Sequence, residues 1–393
     1  MIWNDDHSPQ MAPARMFEGL TPWRPEGRGL DEKVEALARL TAETFQSVES
    51  VRPEMENPNL PYAYSALWSL VDADLNSEDT PFEASGKLNL NSVYGRLFRP
   101  IAQDDSRTDR PAPGSDEAFV RDGDILESFR TLDEVSSISG ALHNAIFTMH
   151  QRLRDEGLTF EEAREMVTWR LQWVVVEDFL KRICGTQVVE DTLTELSRSS
   201  DSVLSAGTGF DIPVEFSKGA FRLGFLLQRP EEWGDDDSHS WADALDEDSA
   251  GASKALLFDG TYVKGLDGLP VAKRFDCAAF FSLLAGWDCD LASGQRIAEA
   301  MEIAPLAGDD PLLIYLVREA TELQSGRRLG PVGARIVAKT VLQSLLADQE
   351  SYLNCADGWT PGLENGRIEY GLAEFLAECG ECLQVEREQA ALV

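Results

Sequence analysis

Basic side chains are scarce in this chain. Lys and Arg number 35 against 69 Asp and Glu, for a formal net charge of −34. Nucleic acids and anionic membrane surfaces recruit proteins through positive patches, so neither is an expected partner. The plain reading of the charge is an acidic surface that keeps the protein soluble, and the sharper one is an acidic docking face for a basic partner. Also missing is any run of about 20 apolar residues, which leaves no expected transmembrane helix. The opening residues Met1-Ile2-Trp3-Asn4-Asp5-Asp6 carry neither a basic n-region nor an apolar h-region, so no secretory signal is expected and the cytoplasm is the expected location. Cysteine is sparse, with six residues at 184, 277, 289, 355, 379 and 382. In a large chain of this kind they read as reduced thiols, not as a disulfide framework. Cys379-Gly380-Glu381-Cys382 is a lone CxxC without the second pair of a zinc site, and it reads as structural or incidental. No Walker loop, GxGxxG after a strand, HExxH or GxSxG at a strand-to-helix turn is present, which removes the enzyme classes those motifs serve.

What is present is helical patterning. The 393 residues are 43% hydrophobic and 26% charged, ordinary for a soluble globular protein with one large domain or two average ones. Thr159 and Glu162 form a capping box that predicts a helix running to about residue 183. Met166, Val167, Leu171, Val174 and Val175 supply its apolar spacing. Ile138, Leu142, Ile146, Met149 and Leu153 make one stripe of an earlier helix over roughly 134–155. Asp310 as N-cap and Pro311 in the first turn predict a helix ending near Gly326, and another follows from Pro331 through Leu346. Strand patterns are few and short, so the expected class is mainly α. Residues 104–124 and the acidic stretch 229–253 read as exposed loops.

One segment carries more than pattern. Phe216-Ser217-Lys218-Gly219-Ala220-Phe221-Arg222-Leu223-Gly224-Phe225 resembles the helix bearing the proximal haem ligand in the animal-type haem peroxidases, the myeloperoxidase and cyclooxygenase relatives, and in particular their bacterial branch. Four further segments are similar to that family in the family's order. Asn57-Pro58-Asn59-Leu60-Pro61-Tyr62-Ala63-Tyr64 leads into Leu70-Val71-Asp72-Ala73-Asp74-Leu75 like the distal side. Ser92-Val93-Tyr94-Gly95-Arg96 resembles the exit of the calcium loop. The helix with His143 and His150, followed by Trp169 to Gly185, resembles the next stretch, and Arg328-Leu329-Gly330-Pro331-Val332-Gly333-Ala334-Arg335-Ile336-Val337 resembles the last, in its bacterial-branch form. The resemblance implies a haem-peroxidase-like helical domain over 57–393, with 1–56 as an N-terminal extension packing on its core.

The same resemblance implies chemistry that the residues do not support. The family's iron ligand is the histidine at the motif's last position, which is Phe225 here, and phenylalanine has no donor for a metal. The distal base would be the middle of Asp72-Ala73-Asp74, and Ala73 cannot carry a proton. The catalytic arginine falls at Leu132, with Arg130 two positions off, and the acid of a second haem ester falls at Val135. The asparagine that orients the ligand imidazole becomes Ser282, and a propionate-pairing arginine becomes Ala285. Asp72 matches an ester-forming carboxylate. Arg222 matches a propionate partner, although pairing with a buried carboxylate is the favoured reading of it. Asp74 matches a calcium ligand, but its expected partners are the amides Asn89 and Asn91, so calcium is expected to bind weakly if at all. His143 and His150 read as packed structural histidines. No haem is expected as cofactor.

Three readings follow. The leading one is a catalytically divergent pseudoenzyme that binds a small hydrophobic molecule or a protein partner, including an active peroxidase-like relative. The second is a haem-free enzyme of specialised metabolism, performing a cyclisation or elimination with Asp72, Asp74 and Arg222 near the old pocket. The third keeps haem in a non-standard oxidoreductase.

Overall fold

The computed structural model describes residues 14–48, 50–76, 138–203, 212–227, 245, 254–263, 277–348, 350–355, 358–361 and 370–379. The segments 104–124 and 229–253 (Leu245 apart), and with them Asn89, Asn91, Leu132 and Val135, lie outside the described residues, as do the side chains of Ala73, Asp74 and His143.

The architecture is mainly helical. Helix α1 spans Leu30–Thr44, α2 Ala63–Asn76, α3 Ile138–Asp155 and α4 Phe160–Trp173. The Thr159 capping box forms as its sequence predicts: its hydroxyl accepts from the Glu162 amide, and Glu162 accepts from the Thr159 amide. Beyond Trp173 the chain keeps turning through a π-helical stretch, Val174–Leu180, and a last turn, α5 (Lys181–Cys184). Gly185, at φ 89°, stops it. Five of the seven π-helical residues are buried, so packing holds a winding that hydrogen bonding alone makes rare.

Helix α6 covers Thr186–Val203, α7 Cys277–Asp288, α8 Gly294–Ala300, α9 Leu312–Gln324, α10 Pro331–Ala347 and α11 Leu372–Glu378. Two small sheets complete the frame. Strands β1 (Gln46–Val48) and β4 (Thr261–Val263) pair in parallel, with Ser47 opposite Tyr262. Strands β2 (Glu56–Pro61) and β3 (Lys254–Leu256) pair antiparallel, with an irregularity between Glu56 and Pro61.

The expectation for α9 needs correcting. Asp310 is not its N-cap; Pro311 is, and the helix starts at Leu312. Gln295 pre-empts the aspartate: its amide nitrogen donates to Asp310 Oδ2 at 2.9 Å, and its carbonyl accepts from the Asp310 amide at 2.8 Å. Arg318 pairs with the same Oδ2. The helix ends where Ser325 and Gly326 take positive φ (52° and 71°) and the Gly326 amide returns to Ala320 O, a left-handed stop of the kind glycine permits.

Helices α9 and α10 are largely buried. Tyr315 is fully enclosed and lies so tightly on α8 that a Cβ at Gly294 would fall 2.0 Å from its ring. Glu319, also with no exposed surface, accepts from the Val332 and Gly333 amides at 3.0 and 3.4 Å and so caps α10 from a neighbouring helix. A carboxylate there meets the free amides and the positive end of the helix dipole.

Candidate functional site

The two segments that resemble the distal and proximal sides meet directly. Residues Glu215–Gly219 are wound as a π-helix and Ala220–Leu227 as a 3-10 helix. Three residues per turn stack every third side chain, dividing the second stretch into three faces. Ala220, Leu223 and Leu226 are fully buried in the core. Phe221 and Gly224 face α2. Arg222 and Phe225 share the remaining face, where Arg222 is exposed and Phe225 half-buried.

Trp68 of α2 closes the second face. Its indole stacks on Phe221 with ring centroids 4.4 Å apart and donates its N–H to the Phe221 carbonyl at 3.1 Å. Phe179 and Phe258 pack on the same indole at 5.9 and 6.0 Å, and Phe216 packs behind Phe221 at 4.6 Å. A Cβ on Gly224 would lie 2.4 Å from Trp68 Nε1, so glycine is required at this contact. Aromatic side chains thus fill the space between α2 and the motif segment at Phe221 and Gly224.

Phe225 points elsewhere. Its ring meets Phe45, at the end of α1, at 5.8 Å, and Tyr262 of β4 edge-on at 5.3 Å. The Tyr262 hydroxyl is buried and has no hydrogen-bond partner. Arg222 makes no ion pair with the described carboxylates that we observe, and Asp72 is half-buried and engaged with other groups. The two are therefore not seen to form a pair. Ser282 is buried and donates to its own helix at Ala278 O, 2.7 Å, so its hydroxyl is spent locally. Ala285 is half-buried, and His150 is buried and not without a partner. Cys184, Cys289 and Cys355 are free thiols, Cys379 is buried, and Cys382 lies outside the described residues. Burial pushes the Cys184 thiol far up, which keeps it protonated and inert. Among the described residues no group of three His, Cys, Asp or Glu could hold a metal ion, and no helix is long and apolar enough to cross a membrane.

The order of the helices, their few short strands and the helical segment set against α2 define a haem-peroxidase-like helical fold. Among solved structures the chain is similar to Peroxidase A from Dictyostelium discoideum, over 97% of this chain and 93% of that one, with a TM-score of 0.51 and 10% sequence identity. At that identity the likeness shows the fold and nothing finer. No protein-family model and no curated protein sequence matches the chain.

A fold of this kind raises the question of haem, and the described residues do not fit it. The motif's last position has no donor, and it lies on a different face from the one turned to α2. Where α2 and the motif segment touch, indole and phenyl rings pack directly on one another. The sequence reading singled out Phe225 and did not single out Trp68, which stacks on Phe221, or Tyr262, which packs on Phe225. A cluster of aromatics at residues 62, 64 and 68, beside the distal segment, was the available signal.

Proposed function

We propose that this protein is a catalytically divergent member of the haem-peroxidase-like fold, without ordinary peroxidase activity, that acts by binding a protein partner or a small molecule. It carries no haem in this reading, binds calcium weakly or not at all, and works in the cytoplasm. The observation that carries the proposal is Phe225, held between Phe45 and Tyr262 at the position where the resemblance requires an iron ligand. Ala73 and Leu132 at the distal base and arginine positions support it, because a pocket relieved of haem favours apolar groups over polar ones left unpaired.

The deciding experiment is an absorption spectrum, with iron analysis, of protein expressed with excess haem, followed by a peroxide-turnover assay. The expected result is no stoichiometric Soret band and no turnover above that of free haem. A Soret band at full occupancy together with rapid peroxide consumption would overturn the reading.

A further inference from the structure

The N-terminal strap over residues 14–24 forms no helix or strand of its own, apart from an isolated antiparallel bridge between Pro22 and Ala292, and it is tied down by bonds to residues far along the chain. Glu215, itself buried, accepts from two consecutive strap amides, Met16 N at 2.8 Å and Phe17 N at 3.2 Å. Arg15 donates to the carbonyls of Cys289 and Asp290 at 2.8 and 3.1 Å. Arg296 donates to the Thr21 carbonyl at 3.0 Å, the Trp23 amide donates to Leu291 O at 2.8 Å, and Arg24 pairs with Asp290. The Trp23 indole N–H donates to Asp309 O at 2.9 Å.

Trp23 is 9% exposed and plugs a recess between α7, α9 and the π-helical turn. Leu283, Trp287, Leu291 and Leu312 line the recess, with Lys218 and Ser282 at its polar side. The plug leaves a void of about 10 Å³, about enough for one water. The strap joins α1 through exposed residues 26–29, where Gly27 takes φ 127° and has no room for a Cβ. Its arginines, Arg15 and Arg24, bind around the acidic turn that holds Asp288 and Asp290.

These features are those of a bound peptide: two main-chain amides fixed by one carboxylate, a buried aromatic anchor in a recess six residues on, and cationic ends on an acidic rim. We infer that the strap is a resident occupant of a peptide-binding groove, and that the partner the groove fits is an extended, cationic, tryptophan-bearing segment that displaces the strap. The groove lies apart from the Trp68–Phe221 contact and does not depend on the reading of that site. An attached strap acts at millimolar effective concentration, so a free peptide competes only once the strap is weakened.

The test is a titration of fluorescent peptide with the sequence of residues 14–24 into full-length Trp23→Ala protein. Saturable binding is expected, with wild-type protein at least about tenfold weaker because its own strap occupies the groove. A peptide with alanine in place of its tryptophan, and a Trp23→Ala protein that also carries Glu215→Gln, should each bind more than about tenfold more weakly. Failure of folded Trp23→Ala protein to bind the peptide, or equal binding of both peptides, would overturn the inference. Should Trp23→Ala not fold, the Arg15→Ala, Arg24→Ala double variant loosens the strap and keeps the indole. Exchange with the peptide, and none with the alanine peptide, is then expected at higher peptide concentration, and no exchange or equal exchange would again overturn it.

Discussion

At Phe225, one side chain carries two separate consequences. Phenylalanine cannot bind iron, and the 3-10 winding aims its ring at Phe45 and Tyr262, away from α2. In the proposed reading, a donor placed at 225 alone therefore does not make a haem site. The Phe225→His variant is expected to show no stoichiometric Soret band when expressed with excess haem, read by spectrum and iron analysis; a full band would mean the segment rewinds to receive the metal. The contact that closes the space is sharper still. Gly224→Ala forces a methyl against Trp68, and the indole is wedged among Phe179, Phe221 and Phe258 with little freedom to yield. Overpacking of this kind costs about 1–3 kcal/mol, and Trp68→Ala, which leaves a void, about 3–5 kcal/mol. Urea midpoints of the two variants check both values. The missing donor at 225 was legible from the residue itself. The Trp68 stack was not, because it joins residues about 150 positions apart and neither side chain announces its partner.

Helix junctions concentrate the molecule's buried charge. Glu319 of α9 caps α10 through one carboxylate oxygen, while the other is buried without a hydrogen-bond partner and Tyr315 faces it from one turn earlier. Burial is the largest influence and raises its pKa from 4.5 to about 7. A raised carboxyl keeps its proton in the folded state. The stability linked to that proton is therefore whole below about 4.5, erodes as pH climbs, and is gone above about 7, a span of about 3 kcal/mol. Glu319→Gln retains the acceptor for the α10 amides and cannot ionise. Its urea midpoint is expected to fall less than the wild type's between pH 5 and 8, and to match or exceed it at pH 8. An unchanged slope would remove Glu319 as the titrating group. Asp348, whose pKa burial also raises, leaves a residual slope of the same sign. Element boundaries were legible where the signal is local, as at the Thr159 capping box and at Pro331. They were not at Asp310, whose side chain is taken by Gln295 and Arg318. Nor was the π-to-3-10 winding of residues 215–227 visible, since their apolar spacing suits an ordinary helix as well.

Across the whole molecule the dominant field is repulsive. A net charge of −34 over 393 residues opposes compaction, and added salt relieves it by shortening the screening length from about 30 Å at 0.01 M to about 8 Å at 0.15 M. Thermal unfolding is therefore expected to move upward when NaCl rises over that range, by about 1 °C for each ~1 kcal/mol of relief in a chain of this length. The same measurement separates general screening from a retained ion site. Calcium at millimolar concentration, compared with NaCl at equal ionic strength, stabilises the folded state only in proportion to its specific affinity. In the proposed reading, a calcium loop built on Asp74 with the amides Asn89 and Asn91 carries two charges fewer than one with aspartates at those positions, and charge is what makes such loops tight. The expected outcome is equal midpoints in calcium and in matched NaCl. A further rise of several degrees in calcium alone, abolished by a chelator, would place a working ion site in this chain and overturn the weak-calcium part of the proposed function.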